Sequence, residues 1–168
     1  NISYTYDANG IRSSKTVNGV THSYTTLNGQ VVRETWTENG TAHVLDIVTD
    51  NAGRPYALVY DGTTYYYVLN HQGDVIRLVD GNGATYANYS YNAWGEPVRV
   101  YLDNGSEITA ADNIANLNPI RYRGYYYDTD TGFYYLQSRY YDPVLCRFLN
   151  ADGYASTGSG FVGYNMCA

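Results

Sequence analysis

The chain has little proline, cysteine, methionine or positive charge, and each shortage removes a possibility. Four prolines in 168 residues, against seventeen glycines, suit many tight turns between elements that proline would break. Cys146 and Cys167, the two cysteines, fit no zinc-ligand spacing and have no histidine near them in sequence; they stand either as one disulfide or as two thiols. Ten lysines and arginines face sixteen carboxylates, for a net charge of −6 and a pI near 4.8. A nucleic-acid surface needs a basic patch, and the cations here are scattered. Arg121, Arg123 and Arg139 form the only loose cluster, read as arginines that reach carboxylates across strands or stack on tyrosine. No apolar run approaches the roughly 18–20 residues of a transmembrane helix, so no membrane span is expected. No secretory leader is recognisable, because residues 1–7 already read as strand and turn; the start looks like a cut into a longer chain.

Catalytic patterns are missing too. There is no His-Glu-x-x-His, no Gly-x-Ser-x-Gly and no phosphate-binding loop. His22, His43 and His71 fall in three different repeats and share no spacing. Asp128 with Asp142 or Asp152 is a carboxylate pair that a fold could oppose, but each also reads as a turn-capping aspartate, as do Asp7, Asp50 and Asp61. The expectation is a chain with no catalytic residue, no metal and no cofactor.

What the chain has is tyrosine, 22 residues against three phenylalanines and two tryptophans. Each ring buries a large area yet keeps a hydroxyl that needs a partner. Such residues suit a wall that is wet on one side better than a dry core. The chain also repeats. A turn signature ends in glycine at 10, 29, 53, 73 and 95, in steps of 19, 24, 20 and 22 residues. Between these lie Asn18-Gly19, Asn39-Gly40, Asp61-Gly62 and Asn82-Gly83, which are strong hairpin signals. The segments between turns, 11–17, 21–26, 31–38, 42–49, 54–60, 63–69, 74–80, 84–91 and 97–102, are expected to be strands. Their alternation is only partial. Val32, Glu34 and Trp36 share a face, as do Val98, Val100 and Leu102, whereas 74–80 is apolar on both faces through Ile76 with Leu78 and Val75 with Val79.

Residues 103–117 interrupt the rhythm and are expected to hold one or two helical turns near 110–117, capped by Thr109 and ended by Pro119. From Asn118 to Asp152 the chain reads as two aromatic strands around the turn Asp128 to Gly132, then a sharp break at Asp142-Pro143. Residues 153–168 are a Gly/Ser-rich tail.

The stretch 118–152 resembles the Rhs-repeat-associated core of the Rhs and YD-repeat proteins. The resemblance is carried by Asn118-Pro119, by the run Arg121-Tyr122-Arg123-Gly124-Tyr125-Tyr126-Tyr127-Asp128, and by Thr131-Gly132 and Tyr134-Tyr135-Leu136. It continues through Ser138-Arg139-Tyr140-Tyr141-Asp142-Pro143, Arg147-Phe148 and Asp152. Upstream, Tyr4 to Gly10 and Tyr89 to Gly95 match the YD repeat. The family usually has glycine where this chain has Cys146. The resemblance implies an all-β array of antiparallel hairpins forming a shell or solenoid wall, divided into hairpins 1–102, an insertion 103–117, the core 118–152 and the tail 153–168. It implies structural roles for Arg121, Tyr122, Gly124, Tyr125, Asp128, Gly132, Tyr135, Arg139, Tyr140, Asp142, Pro143, Arg147, Phe148 and Asp152.

In this family many hairpins spiral into a hollow shell that encloses a passenger, and the core closes one end. The implied role is therefore a structural fragment of a large secreted or cell-surface bacterial protein that encloses or presents a C-terminal toxin or effector. Its implied partners are the rest of its parent shell and that passenger. The alternative is a cell-surface carbohydrate- or protein-binding module, because aromatic hairpins repeating at this interval also resemble choline-type wall-binding repeats. Open strand edges at both ends are expected to favour self-association.

Overall fold

The computed structural model describes residues 1–137 and 139–150. Ten strands form one antiparallel meander in which each pairs with the next. They are β1 (Ile2–Tyr6), β2 (Arg12–Val17), β3 (Val20–Leu27), β4 (Gln30–Glu38), β5 (Thr41–Thr49), β6 (Pro55–Tyr60), β7 (Thr63–Leu69), β8 (Val75–Val79), β9 (Thr85–Tyr91) and β10 (Pro97–Tyr101). A second sheet is built from β11 (Tyr126–Asp128), β12 (Phe133–Leu136), β13 (Arg139–Asp142) and β14 (Arg147–Phe148). The chain is thus the all-β array of antiparallel hairpins that the turn spacing implies, with one short α-helix among the described residues, α1 (Ile114–Leu117).

The turns explain the spacing. At Asn18-Gly19, Asn28-Gly29, Asn39-Gly40 and Asp61-Gly62 both residues have positive φ, the two-residue hairpin geometry that asparagine, aspartate and glycine tolerate. At Asp7, Asp50, Asn70, Asp80 and Asn92 the side-chain oxygen instead accepts the N–H groups two and four residues on, closing a longer turn that ends in glycine. Asn82-Gly83, expected to form a two-residue hairpin, belongs to this second class, because Asp80 caps the turn.

Bulges account for part of the broken alternation. The register slips by one residue at Ser13, Val32, Tyr56, Ile76, Tyr86 and Val98, each three residues after a turn glycine, at 10, 29, 53, 73, 83 and 95. Each slip is a β-bulge, which leaves one residue unpaired and increases the local twist. A one-residue slip also exchanges the two faces. Val31 rather than Val32 therefore lies buried with Glu34 and Trp36, and Val75 rather than Ile76 with Leu78. Three exposed apolar residues, Tyr56, Ile76 and Val98, are bulge residues.

The core lies between one face of the large sheet, with Leu45, Leu58, Leu78 and Ala87, and Ile114, Ala115, Ile120, Tyr126 and Tyr135 from the later segments. The helix is capped by Asn113, whose side chain accepts from Ala115 N–H, and not by Thr109. Residues 118–150 also depart from the two strands expected. Tyr122–Gly124 is a 3-10 turn, with Arg123 and Gly124 at φ 55° and 70°. Gln137, at φ 61°, ends β12 and divides the expected long second strand into β12 and β13. The outer edge of β10 is covered by a bridge from Tyr101 to Glu107 and by Ile108 N–H bonding Val100 C=O.

Gly95, in the turn before β10, packs closely against Tyr122. Its φ is +88°, and a Cβ there would sit 2.6 Å from Tyr122 Cγ. Gly95→Ala is expected to lose about 1–3 kcal/mol to overpacking beyond the roughly 1–2 kcal/mol of a left-handed alanine. Gly40→Ala, with φ +78° and nothing within 4 Å, carries only the second loss. Urea unfolding of the two variants checks the difference; equal midpoints would mean that Tyr122 moves aside freely.

Candidate functional site

The polar side chains that join the two sheets are the candidate site. Asp128 is buried at the end of β11. Its backbone C=O accepts Gly132 N–H and closes the expected turn, with Gly132 at φ 76°. Its carboxylate reaches across to β2: Arg12 Nη1 lies 2.9 Å from Oδ2, and Lys15 Nζ 2.9 Å from Oδ1. Lys15 also touches Asp130 at 2.6 Å. The Arg12 guanidinium is caged by the rings of Tyr24 and Tyr135, each 4.5 Å from its central carbon, with Tyr126 at 5.1 Å and Tyr4 at 5.5 Å. Tyr135 also holds β2 through its hydroxyl, which accepts Arg12 N–H at 2.9 Å. Burial alone lowers the Lys15 pKa, but Asp128 and Asp130 more than offset it and raise it.

A second junction forms around Asn118, which is fully buried. Its Oδ1 accepts from Tyr67 O–H and Ile120 N–H, and its Nδ2 donates to Ile120 C=O and Tyr89 Oη. Arg121 donates to the carbonyls of Asn118 and Asn116 and lies over Tyr127 and Tyr89. Its partners are therefore tyrosines, as expected, and backbone carbonyls in place of carboxylates. Tyr122 donates to Ala93 C=O, Tyr134 to Gly95 C=O and Tyr141 to Trp94 C=O, so three tyrosines grip one turn.

The remaining motif residues make the following contacts. Gly124 passes close to Pro55. Tyr125 is partly exposed against Tyr134. Arg139 lies 3.9 Å from the Phe148 ring centroid. Tyr140 shares a hydroxyl–hydroxyl bond with Tyr6 at 3.0 Å. The Asp142 side chain caps the N–H groups of Val144 and Leu145, Pro143 is buried, and Arg147 pairs with Asp142 in register. Asp142 is therefore a turn residue, and it does not oppose Asp128. Cys146 takes φ 56°, the left-handed region that suits glycine, so the glycine that the resemblance leads one to expect there would fit this turn without strain. Ser138, Asp152, Cys167 and the tail lie outside the described residues.

Sequence reading missed an aromatic stack. Trp36 is sandwiched between His22 and His43, each with its ring centroid 5.1 Å away, and Tyr60 continues the stack. His22 is bonded to Glu34 and His43 to Asp61, and Glu34 also accepts Tyr126 O–H at 2.6 Å. Burial, with Glu34 next, raises the Tyr126 pKa well above the ordinary value. This stack forms one wall of a cavity of about 1170 Å³ whose opposite wall comes from residues 108–130. Among the described residues no group of three or more His, Cys, Asp or Glu side chains is placed to hold a metal ion, and no helix is long and apolar enough to cross a membrane.

No family model matches the chain. It is 37% identical over 153 residues to the tRNA3(Ser)-specific nuclease WapA of Bacillus spizizenii, and 36% identical over 153 residues to the tRNA nuclease WapA of Bacillus subtilis. Each match takes in 89% of this chain but spans only 6% of the relative's length. Among solved structures, the TcdB2-TccC3 crystal structure superposes with a TM-score of 0.69 at 23% identity, covering 99% of this chain and 8% of that one. The Tc holotoxin pore of Photorhabdus luminescens gives 0.68 at 21% identity, with the same coverage. With hairpins, bulged turns and the 118–150 core assembled in this way, the chain belongs to the Rhs/YD-repeat proteins.

Proposed function

We propose that the chain is a structural segment of a large secreted or cell-surface Rhs/YD-repeat toxin carrier, with no catalytic role of its own. The ten-stranded sheet is a piece of shell wall, and residues 118–150 close against its inner face. The parent shell encloses or presents a passenger, and the chain's partners are the rest of that shell and the passenger. The observation that carries this reading is the junction itself. Partners 92 to 124 residues apart, Tyr126 with Glu34, Lys15 and Arg12 with Asp128, and Tyr4 with Asp128, tie the closing segment to the wall. The relatives' names speak of nucleases, and a segment spanning 6% of their length supports a carrier role better than the catalytic one.

A carbohydrate-binding module would present open ring faces, and both faces of Trp36 are already covered by histidines. The test is limited proteolysis of the parent protein. Asp128→Ala is expected to expose the segment after the core to protease, whereas Ser23→Ala in β3 is not. Equal protection in both variants would count against closure by residues 118–150.

A further inference from the structure

We propose that Lys15 and Asp128 become joined after folding by an isopeptide bond between Lys15 Nζ and Asp128 Cγ, with Asp130 carrying the proton. The proposal rests on the geometry of this cluster and is independent of the shell reading. The amine lies 2.9 Å from Asp128 Oδ1 and 2.6 Å from Asp130 Oδ2. The Lys15 and Asp128 side chains are 4% and 0% exposed, whereas Asp130 is 34% exposed and can exchange protons with solvent.

Several features favour amide formation here. The reacting groups are held in contact by elements 113 residues apart in sequence, so no encounter step remains. Burial excludes the bulk water that would compete with the amine and hydrolyse the product. Arg12 Nη1, 2.9 Å from Asp128 Oδ2, stands where negative charge develops as the amine adds to Cγ. Tyr4 O–H faces the same oxygen at 3.4 Å, and Asp130 N–H faces Oδ1 at 3.3 Å. Arg12 Nε and Nη2 have no hydrogen-bond partner and sit among tyrosine rings, so the guanidinium orients Asp128 through a single N–H.

The step balances without a co-reactant. Lys15 begins as an ammonium and passes a proton to Asp130. The amine lone pair forms the bond to Asp128 Cγ, and the bond from Cγ to Oδ1 breaks. Oδ1 leaves as water with two of the three ammonium protons, one of them returned by Asp130. An ammonium and a carboxylate become one amide and one water, and two buried charges disappear together. Buried ion pairs carry a large desolvation penalty, which the amide relieves for Lys15 and Asp128, while Arg12 keeps Oδ2 as a neutral amide acceptor in place of the carboxylate.

Peptide mapping of the parent protein by mass spectrometry tests this. The expected result is a branched peptide joining the segments that hold Lys15 and Asp128, one water lighter than their sum, with no linear Lys15 peptide. In Asp130→Asn, which keeps the shape of the side chain, and in Lys15→Arg, the branched peptide is expected to vanish and linear peptides to return. Linear peptides alone from folded wild-type protein would overturn the proposal, whatever the variants do. So would a lost water that maps elsewhere, such as an aspartyl succinimide at Asp61-Gly62. Branching that persists in Asp130→Asn would overturn the role of Asp130.

Discussion

Asp128→Ala is expected to destabilise the folded chain by about 3–5 kcal/mol, the usual loss when one partner is removed from a buried ion pair. The reason is what remains. Arg12 and Lys15 stay buried at 0% and 4% side-chain exposure with their shared carboxylate gone. Lys15 retains Asp130, whereas Arg12 retains only tyrosine rings. A simultaneous change of Arg12 and Lys15 to methionine and Asp128 to leucine is expected to recover most of the loss, because apolar replacement of a whole buried ion cluster is often neutral or stabilising. Urea unfolding of the single and triple variants is the measurement. A loss below about 1 kcal/mol for Asp128→Ala, typical of an exposed pair, would show that the cluster is hydrated. Should the Lys15–Asp128 link form, Lys15→Arg separates the two contributions, since it keeps the charge and removes the amine.

Alkali is expected to unfold the chain cooperatively, beginning above about pH 10. Burial raises the pKa of Tyr89 from 10.0 to about 12. Burial likewise pushes up Tyr24, Tyr67, Tyr91, Tyr126 and Tyr134. A group whose folded pKa lies above its unfolded value contributes stability that is complete below the unfolded pKa. That contribution is lost as pH rises through the folded pKa, because only the unfolded chain releases the proton. For Tyr89 the window therefore runs from pH 10 to about pH 12. Each such tyrosine removes up to about 1.4 kcal/mol per pH unit within its window. Several acting together reach the 5–15 kcal/mol that holds a typical domain. Lys15, raised by Asp128 and Asp130 against the opposing effect of burial, works in the same direction. Parallel titrations of tyrosinate absorbance and far-ultraviolet circular dichroism check this. The buried tyrosines are expected to ionise in step with loss of the sheet. Complete tyrosine ionisation with the sheet intact would contradict the burial that the fold assigns them.

The amino-acid sequence by itself determined the local pairing. Counting outward from Asn39-Gly40 places Trp36 opposite His43, and counting from Asp61-Gly62 places Leu58 opposite Tyr65, as the structure has them. A two-residue turn fixes the register of both its strands through backbone geometry alone, so such pairs need no knowledge of the rest of the chain. The roles of Asp142 and Gly132 were legible for the same reason, since a turn is satisfied within a few residues.

What only the tertiary structure decided is which face is inside and what meets it. The bulges at Ser13, Val32 and Ile76 exchange faces by one residue, so the apolar periodicity of the strands reads as mixed. His22 and His43 share no spacing, yet successive hairpins bring both against Trp36. Asp128 reads as one more turn aspartate until β2 supplies Arg12 and Lys15 from more than a hundred residues away. No short-range pattern encodes that contact. It exists because, where the two sheets exclude water, a buried charge is tolerable only with an opposite charge beside it, and Asp128 supplies that partner to Arg12 and Lys15.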